Sequence, residues 1–510
     1  MLGFLQRNST TVYFGFLTLA LLCVNGPLAR ALPQVGGYWI LALVGLMLVS
    51  AIRAWFCSFN EDSSFPIYRV LLGFYALMII VSSGMHFVGL SMIPADTQVN
   101  SIGMQALQAM KQERAFALLY LMFPLMLLVH ITVQGRLNLL GVVRCFAVAA
   151  ALTLSVALYQ AWVDAGFMHE SLWAIRFEGL ATDPNALALT CFLLLPLMIA
   201  GILIETRHVF RYTYAILTGM LLMAMMHTGS RTGLAGVLVL FVVSPWVVAV
   251  CMRKWKKRWR VALALSPVIM VLIAALFSSA LLPLIDKSGH AGHRMALTWQ
   301  KAGDVGLQGL LSGNEDRGKY FLLSMDLIQE APFGGWGPAG YYRESSNMYY
   351  HSEGWKQRLW SYYPRDSALN HYLMIAGDFG IPVAVLNLLL VLLPLWLGFL
   401  SYRHFADDRT RLVSGLLLAS NVVFMLMILT VPPSYFLGVC WIWTAQLAAL
   451  LLMAGQNGAS LSCSRHILVR RGLTVVGIVI LLTVVVGGYE TSFGDYGYAV
   501  RAEQPWWKSD

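Results

Sequence analysis

The sequence predicts an all-α integral membrane protein with about 13 transmembrane helices and one large loop outside the cytoplasm. Of the 510 residues, 58% are hydrophobic and only 12% are charged, about half the charged fraction of an ordinary soluble domain. Thirteen apolar runs are long enough to cross a bilayer, which takes about 17 to 25 residues. Cationic residues recur between these runs. A water-soluble globular fold is therefore excluded.

The apolar runs fall into a group of nine, a long polar interval and a group of four. Their centres lie near residues 21, 46, 80, 124, 152, 195, 220, 242, 272, 387, 421, 446 and 480. The first run is too long for the apolar segment of a signal peptide and is followed by further spans, so we expect it to be retained. The seven cysteines fall within or beside apolar runs and have the spacing of neither a disulfide framework nor a zinc site.

The cations orient the predicted spans. Segment 253–260 holds six Lys and Arg in eight residues between the eighth and ninth runs, and the positive-inside rule places it in the cytoplasm. The same orientation puts 19 of the 35 Lys and Arg inside and leaves 16 of them outside with 20 acidic residues. We therefore expect the N-terminus in the cytoplasm and the C-terminus on the opposite side of the membrane, which the resemblance described below makes the periplasm. Because the cations are spread between spans, no nucleic-acid partner is expected.

This topology divides the chain into the first nine helices, a large outside loop, the last four helices and a tail. Their bounds are residues 1–285, 286–370, 371–490 and 491–510. Within the loop, apolar residues at helical spacing predict a short amphipathic helix over 321–329, and the glycine- and proline-rich segment 331–338 ends it. Loops of this length usually have a function.

Aromatic residues crowd the second half of the loop, where Trp336, Tyr341 and Tyr342 lie close to cations in the sequence. Flat amphipathic rings beside cations suit contact with a sugar chain that carries acidic groups. An interfacial aromatic belt or a loop core would place the same residues there. Both interpretations stay open.

Three arginines from separate segments, Arg176, Arg231 and Arg317, are expected on the outer side. Arg231 lies in the hairpin 228–233 at the membrane edge, where an arginine is costly unless it has an anionic partner. Snorkelling to the headgroups is the alternative. Guanidinium groups bind phosphate oxygens bidentately and stabilise the charge that grows on a pyrophosphate leaving group. Such a site requires no metal and no cofactor.

In their order, these segments resemble the O-antigen ligase and polymerase superfamily of bacterial envelopes over roughly residues 170 to 400. The matching segments are Arg176 with Gly179 and Pro184–Asn185, Ser230–Arg231, Arg317 ahead of a short helix, the turn 332–337, and 370–380. The resemblance implies the helical membrane class called GT-C. It also implies transfer of a glycan from undecaprenyl pyrophosphate to a hydroxyl acceptor, with Arg231 and Arg317 gripping the pyrophosphate.

The catalytic base is where this chain departs from the family pattern. Ligase members typically have His-Asn at the end of the large loop, whereas Leu369 precedes Asn370 in this chain. His371 lies two positions beyond the usual histidine, nearly opposite on a helix. It and Asp366 are the candidate bases. The alternative interpretation of His371 is a helix-start residue that faces lipid headgroups.

The resemblance also implies a multi-pass protein of the bacterial inner membrane. Its expected partners are an undecaprenyl-pyrophosphate-linked glycan, a glycan or lipid A core acceptor, membrane lipids, and flippase and chain-length regulator proteins. The displaced histidine favours a polymerase of O-antigen or exopolysaccharide repeat units. Ligation to lipid A core or transfer to protein is the alternative. A flippase or transporter, the alternative of another class, would show charged residues near mid-membrane and pseudo-symmetric halves, and the sequence shows neither.

Overall fold

The computed structural model describes the chain in ranges separated by gaps. These are residues 65–91, 120–131, 139–165, 183–276, 315–341, 343–345, 370–402, 407–433, 436–456 and 463–493, with the single residues 45, 49, 117, 177, 293, 296, 297, 368 and 405. The described ranges form helices and turns, with no strand among them. The predicted all-α membrane class is confirmed.

The described helices are numbered here in chain order. They are α1 (Phe65–Ser91), α2 (Tyr120–Ile131), α3 (Leu139–Ala165), α4 (Pro184–Ile204), α5 (His208–Thr228), α6 (Arg231–Cys251), α7 (Lys257–Leu276), α8 (Glu315–Glu330), α9 (His371–Phe379), α10 (Ile381–Tyr402), α11 (Asp408–Met427), α12 (Leu437–Gln456) and α13 (Cys463–Phe493).

Nine of the described helices are long and apolar enough to cross a membrane: α1, α3, α4, α5, α6, α10, α11, α12 and α13. They coincide with nine of the predicted runs. The run near 272 falls on α7, and the run near 124 falls on the shorter α2. The runs near 21 and 46 lie almost wholly outside the described residues. The total of 13 spans therefore stays a prediction, as do the boundaries of the four parts of the chain.

Helices α4 and α12 form the centre of the bundle, with 83% and 89% of their apolar windows buried, against 28% for α5 and α13. Side-chain amides join this centre. Gln446 of α12 donates to the backbone carbonyl of Leu193 in α4 and accepts from Asn421 of α11 at 2.8 Å. Both of these buried amides therefore hydrogen-bond to a neighbouring helix, which stabilises a polar side chain in an apolar surrounding.

One end of the bundle is rich in cations. Arg144 of α3 pairs with Glu205 at the end of α4 at 2.8 Å. Arg411 of α11 pairs with Asp408 at 2.9 Å, and Asp408 also accepts from the backbone N–H of Lys254, in the turn between α6 and α7. This basic end gathers the end of α4 and the turn from α6 to α7, which carries the cation-rich segment 253–260.

The large loop contributes α8, which is longer than the predicted 321–329 because it already begins at Glu315. Its last turn leads into a turn, 331–341, that packs on the junction between α9 and α10. At this junction Gly380 has φ 87°, and a Cβ there would collide with the backbone of Phe333. Glycine is needed for both reasons. The chain can therefore leave α9, a nine-residue helix, and enter the membrane span α10.

Candidate functional site

The end of the bundle opposite the basic end begins with the hairpin between α5 and α6. Gly229 takes the left-handed conformation, with φ 70°. Ser230 caps α6 by accepting from the backbone N–H of Gly233 at 3.3 Å. Arg231 is therefore the first residue of α6, and it is half-buried. A Cβ on Gly233 would lie 2.8 Å from Cβ of Ala188, so the starts of α6 and α4 are in close contact.

Phe177, the neighbour of Arg176 in the sequence, contacts the same hairpin. The backbone N–H of Phe177 donates to the carbonyl of His227 at 3.2 Å, and the two rings stack with centroids 4.8 Å apart. Arg176 itself lies outside the described residues, yet its neighbour is fixed to the end of α5. The start of α4 completes this region, where Asp183 caps the helix by accepting from the N–H groups of Asn185 and Ala186.

The start of α9 meets the start of α6 through the end of α11. Asn370 caps α9 by accepting from the N–H groups of Tyr372 and Leu373 at 3.0 and 3.1 Å. The N–H of His371 donates to the carbonyl of Ile428 at 3.0 Å. Two residues further on, the hydroxyls of Thr430 and Thr232 hydrogen-bond at 2.9 Å. These contacts define the site end of the bundle: the starts of α4, α6 and α9 and the ends of α5 and α11.

The side chain of His371 points into the bundle. It is 3% exposed, and its Nε2 hydrogen-bonds to Oδ1 of Asn387 at 3.2 Å. The indole of Trp443 lies edge-on to the imidazole at 5.9 Å. Helix α9 precedes the membrane span of α10, and burial there lowers the pKa of His371 to about 4, while the bond to Asn387 opposes the shift. The imidazole is therefore neutral at pH 7, and the interpretation of His371 as a headgroup-facing residue is wrong.

The aromatic residues of the turn 331–341 lie inside the protein. The rings of Trp336 and Tyr341 are fully buried, and Nε1 of Trp336 donates to the carbonyl of Leu327 in α8 at 2.8 Å. These two rings form a loop core, the interpretation that the sequence left open beside glycan contact. Tyr342 lies outside the described residues, so its glycan contact stays a prediction.

Backbone bonds hold this turn on the last turn of α9. The N–H of Trp336 donates to the carbonyl of Gly377 at 2.9 Å, and the N–H of Gly337 donates to that of Asp378 at 2.8 Å. Gly337 has φ 84°, and a Cβ there would lie 2.5 Å from the ring of His86 in α1. The turn is thus enclosed between α9 and α1, with space only for glycine at this position.

Asp378 connects the turn to α2. The carboxylate is fully buried. Its Oδ1 accepts from the N–H of Tyr341 at 2.9 Å, and its Oδ2 accepts from the hydroxyl of Tyr120 at 2.7 Å. Burial raises the pKa of Asp378 to about 7, and the two hydrogen bonds and the charge of Arg343 oppose the shift. Arg343 in turn donates to the carbonyl of Trp336 at 2.6 Å. One carboxylate therefore joins three segments far apart in the sequence.

The remaining predicted residues are placed only in part. Arg317 lies in the first turn of α8, but its side chain is outside the described residues, and so is Asp366. The roles of Arg176, Arg231, Arg317, Asp366 and His371 stay predictions. Within the described residues, no three His, Cys, Asp or Glu side chains gather as a metal site would require. The expectation that no metal is needed stays a prediction as well.

Sequence reasoning missed several polar residues that the structure brings to this region. Asn387 lies in the apolar run of α10, and Asp378 lies just before it. A polar side chain in or beside a membrane span is itself a signal of function, because burying it requires a partner. Tyr75, Tyr120 and Thr430 carried no such signal, since their partners lie 312, 258 and 198 residues away in the sequence.

Comparison with known proteins agrees with this architecture. The bundle, with its short helix and buried turn outside the spans, defines a multi-pass helical membrane protein. Residues 215–388 match the model of the family described as O-antigen ligase. This match covers about a third of the chain, including Arg231, Arg317, the turn 331–341 and all of α9. It supports the resemblance to the O-antigen ligase and polymerase superfamily. No curated protein matches the chain.

We expect Asp378→Asn to flatten the pH dependence of stability. Because the pKa of Asp378 rises from 3.8 to about 7 on folding, the folded protein binds a proton that the unfolded chain has already released between these values. Stability therefore falls as pH rises through about 7, by up to about 1.4 kcal/mol per pH unit. An amide does not ionise and removes this component. Thermal unfolding of the protein in detergent between about pH 5 and 8 measures the slope.

Asp183→Asn is the matched control, because an amide caps α4 as well as a carboxylate does. It should keep the wild-type slope. Asp378→Ala should lower stability by about 1 to 3 kcal/mol for each donor left without an acceptor. Equal slopes in wild type and Asp378→Asn would show that Asp378 does not titrate in this range.

Proposed function

We propose that this protein is a membrane glycosyltransferase that takes a glycan from undecaprenyl pyrophosphate and polymerises repeat units of a surface polysaccharide. The observation that carries the proposal is the site end of the bundle. There Arg231 begins α6. The hydrogen bonds of Ile428 and Thr430 bring the start of α9 close to the start of α6. Both segments lie within the part of the chain that matches the O-antigen ligase family.

Arg231 is the residue best placed to grip the pyrophosphate. A guanidinium at the start of a helix adds its fixed charge to the positive end of the helix dipole, and both favour an anion. Its planar fork binds two phosphate oxygens at once. Arg317 and Arg176 would complete the grip from α8 and from the segment beside Phe177. The lipid tail of the donor stays in the bilayer beside the spans.

The reaction joins an acceptor hydroxyl to the anomeric carbon of the donor glycan. The hydroxyl oxygen forms the new bond as the bond between that carbon and the phosphate oxygen breaks. The undecaprenyl pyrophosphate leaves with the electron pair, and the arginines stabilise its growing charge. A base removes the hydroxyl proton. His371, which is neutral and lies at the start of α9, and Asp366 are the two candidates.

The difference in charge between the two ends of the bundle predicts how the protein is oriented in the membrane. The basic end carries segment 253–260 with the Arg144–Glu205 and Arg411–Asp408 pairs, and the positive-inside rule places it in the cytoplasm. The site end then faces the periplasm, where flippases deliver undecaprenyl-linked repeat units. Flippase and chain-length regulator proteins are thus the partners that we propose. The inner membrane of a bacterium is the expected location.

Ligation of the glycan to lipid A core is the second candidate function. The description of the matched family, O-antigen ligase, favours it. Leu369, in the place where ligases typically have histidine, favours the polymerase instead. The two differ in the acceptor, so supplying purified protein with a lipid-linked donor and either a second repeat unit or lipid A core decides between them. A flippase is less well supported, since the buried amides between spans, Asn421 and Gln446, are uncharged.

We expect a reporter that is active only in the periplasm to work when it is fused at residue 345. The reason is that the segment around Arg343 belongs to the turn at the site end. The same reporter fused at residue 255, in the cation-rich segment, is the control and should be inactive. Activity at 255 with none at 345 would reverse the proposed orientation.

We expect Arg231→Lys to lower glycan transfer nearly as much as Arg231→Ala, each by on the order of 10²-fold, because lysine keeps the charge but loses the two-pronged grip on phosphate. The assay uses purified protein with a lipid-linked pyrophosphate donor. Arg253→Lys, at an exposed arginine of the basic end, is the matched control and should keep wild-type transfer. Full transfer by Arg231→Lys would make Arg231 a membrane anchor.

A further inference from the structure

A chain of buried hydrogen bonds runs from His371 through α10 to α1. Nε2 of His371 meets Oδ1 of Asn387 at 3.2 Å. Nδ2 of the same amide donates to the hydroxyl of Tyr75 at 3.1 Å. All three side chains are at most 3% exposed. The amide is therefore held from both sides, and its two ends have different partners.

The orientation of the Asn387 side-chain amide determines which nitrogen of the His371 imidazole carries the proton. The oxygen of Asn387 faces His371, and an amide oxygen only accepts hydrogen bonds. With the amide in this orientation, Nε2 carries the N–H of the neutral ring. The lone pair of the ring is then on Nδ1, which is buried and has no hydrogen-bond partner among the described residues. A buried basic nitrogen without a partner is costly, and a ligand or a water molecule that bonds to it removes this cost.

The position of this nitrogen in the fold points to the site end. The backbone N–H of His371 is bonded to Ile428, two residues before Thr430, which is bonded to Thr232 beside Arg231. Asn370, the neighbour of His371, is partly exposed. The ring itself cannot turn freely, because Trp443 and Tyr372 pack edge-on against it at 5.9 and 5.3 Å.

We propose that Asn387 is a positioning residue, oriented by Tyr75, that fixes His371 in the Nε2–H tautomer so that Nδ1 removes the proton of the acceptor hydroxyl. This inference rests on the proposed glycosyl transfer. This mechanism requires the acceptor to reach Nδ1 from the start of α9, where Asn370 is partly exposed. Its proton moves to Nδ1 as its oxygen bonds to the anomeric carbon and undecaprenyl pyrophosphate departs. The imidazolium keeps its N–H···O bond to Asn387, which strengthens with the charge, and later loses the Nδ1 proton to water.

The test compares Asn387→Leu with Asn387→Asp in purified protein, with kcat and donor KM measured separately. Leucine has a similar size but no acceptor oxygen, so the tautomer is no longer fixed. We expect kcat to fall by more than about 30-fold while the donor KM stays within about 3-fold, because the arginines still bind the donor. Aspartate keeps an oxygen facing Nε2, so the kcat of Asn387→Asp should stay within about 3-fold of the wild-type value.

Two further variants separate chemistry from folding. Asn421→Leu removes another buried amide, one that bonds Gln446 at 2.8 Å and does not contact His371, and it should keep wild-type kcat in the folded fraction. Combining His371→Ala with Asn387→Leu should add little to the loss from His371→Ala alone, because the two residues act as one unit. Thermal unfolding of each variant confirms that folded protein is compared.

Failure of the inference differs from failure of the proposed function. If wild-type protein transfers no glycan from a lipid-linked pyrophosphate donor, the proposed function is wrong. If wild type is active and Asn387→Leu keeps its kcat, the inference is wrong and the transfer stands. The inference is also overturned if the leucine and aspartate variants lose kcat equally while they remain folded, because the loss would not then depend on the oxygen facing His371.

Discussion

The candidate site depends on two hydrogen bonds at the end of α11. The carbonyl of Ile428 holds the start of α9, and the hydroxyl of Thr430 holds the start of α6. Without these bonds the two helix starts would belong to separate parts of the bundle, since α6 and α9 are more than 100 residues apart in the sequence. With them, two positive helix ends and Arg231 come together at the site end, and such an arrangement favours a pyrophosphate group.

Several polar side chains inside the bundle form hydrogen bonds between helices, because an apolar surrounding makes unpaired groups costly. The amide of Asn421 donates to that of Gln446 and joins α11 to α12. Asp378 satisfies Tyr120 and the turn 331–341, and it fixes the large loop on α9. Nδ1 of His371 is one of several buried polar atoms that have no hydrogen-bond partner among the described residues. Its place at the start of α9, which hydrogen bonds at the end of α11 join to the start of α6, is why His371 is interpreted chemically rather than as packing.

Much of the fold was predictable because it depends on local pattern. Apolar runs of sufficient length must be helices in a membrane, and the nine described spans fall where such runs were predicted. The separation of cations to one end was equally predictable from the positions of Arg144, Arg411 and segment 253–260. The helix α8 was predicted too short, because its first turn, from Glu315, is polar and carries no hydrophobic period.

The candidate site was less predictable because it depends on pairings between distant residues. Position in the sequence indicated His371 as a base, but not that its ring turns inward to Asn387. Trp336 and Tyr341 looked like sugar-binding rings, yet both are buried in the loop core. Periodicity cannot distinguish these outcomes, since it gives the face of a helix and not what covers that face. Only the packing of α1, α2 and α10 around α9 decides them.

The most direct test of this account is a structure of the purified protein in a lipid bilayer with a bound undecaprenyl-pyrophosphate-linked glycan. The account predicts density for the two phosphates within about 3 Å of the Arg231 guanidinium, beside the starts of α6 and α9, with the first sugar near His371. Phosphate density at the opposite end, among the cations of segment 253–260, would contradict it.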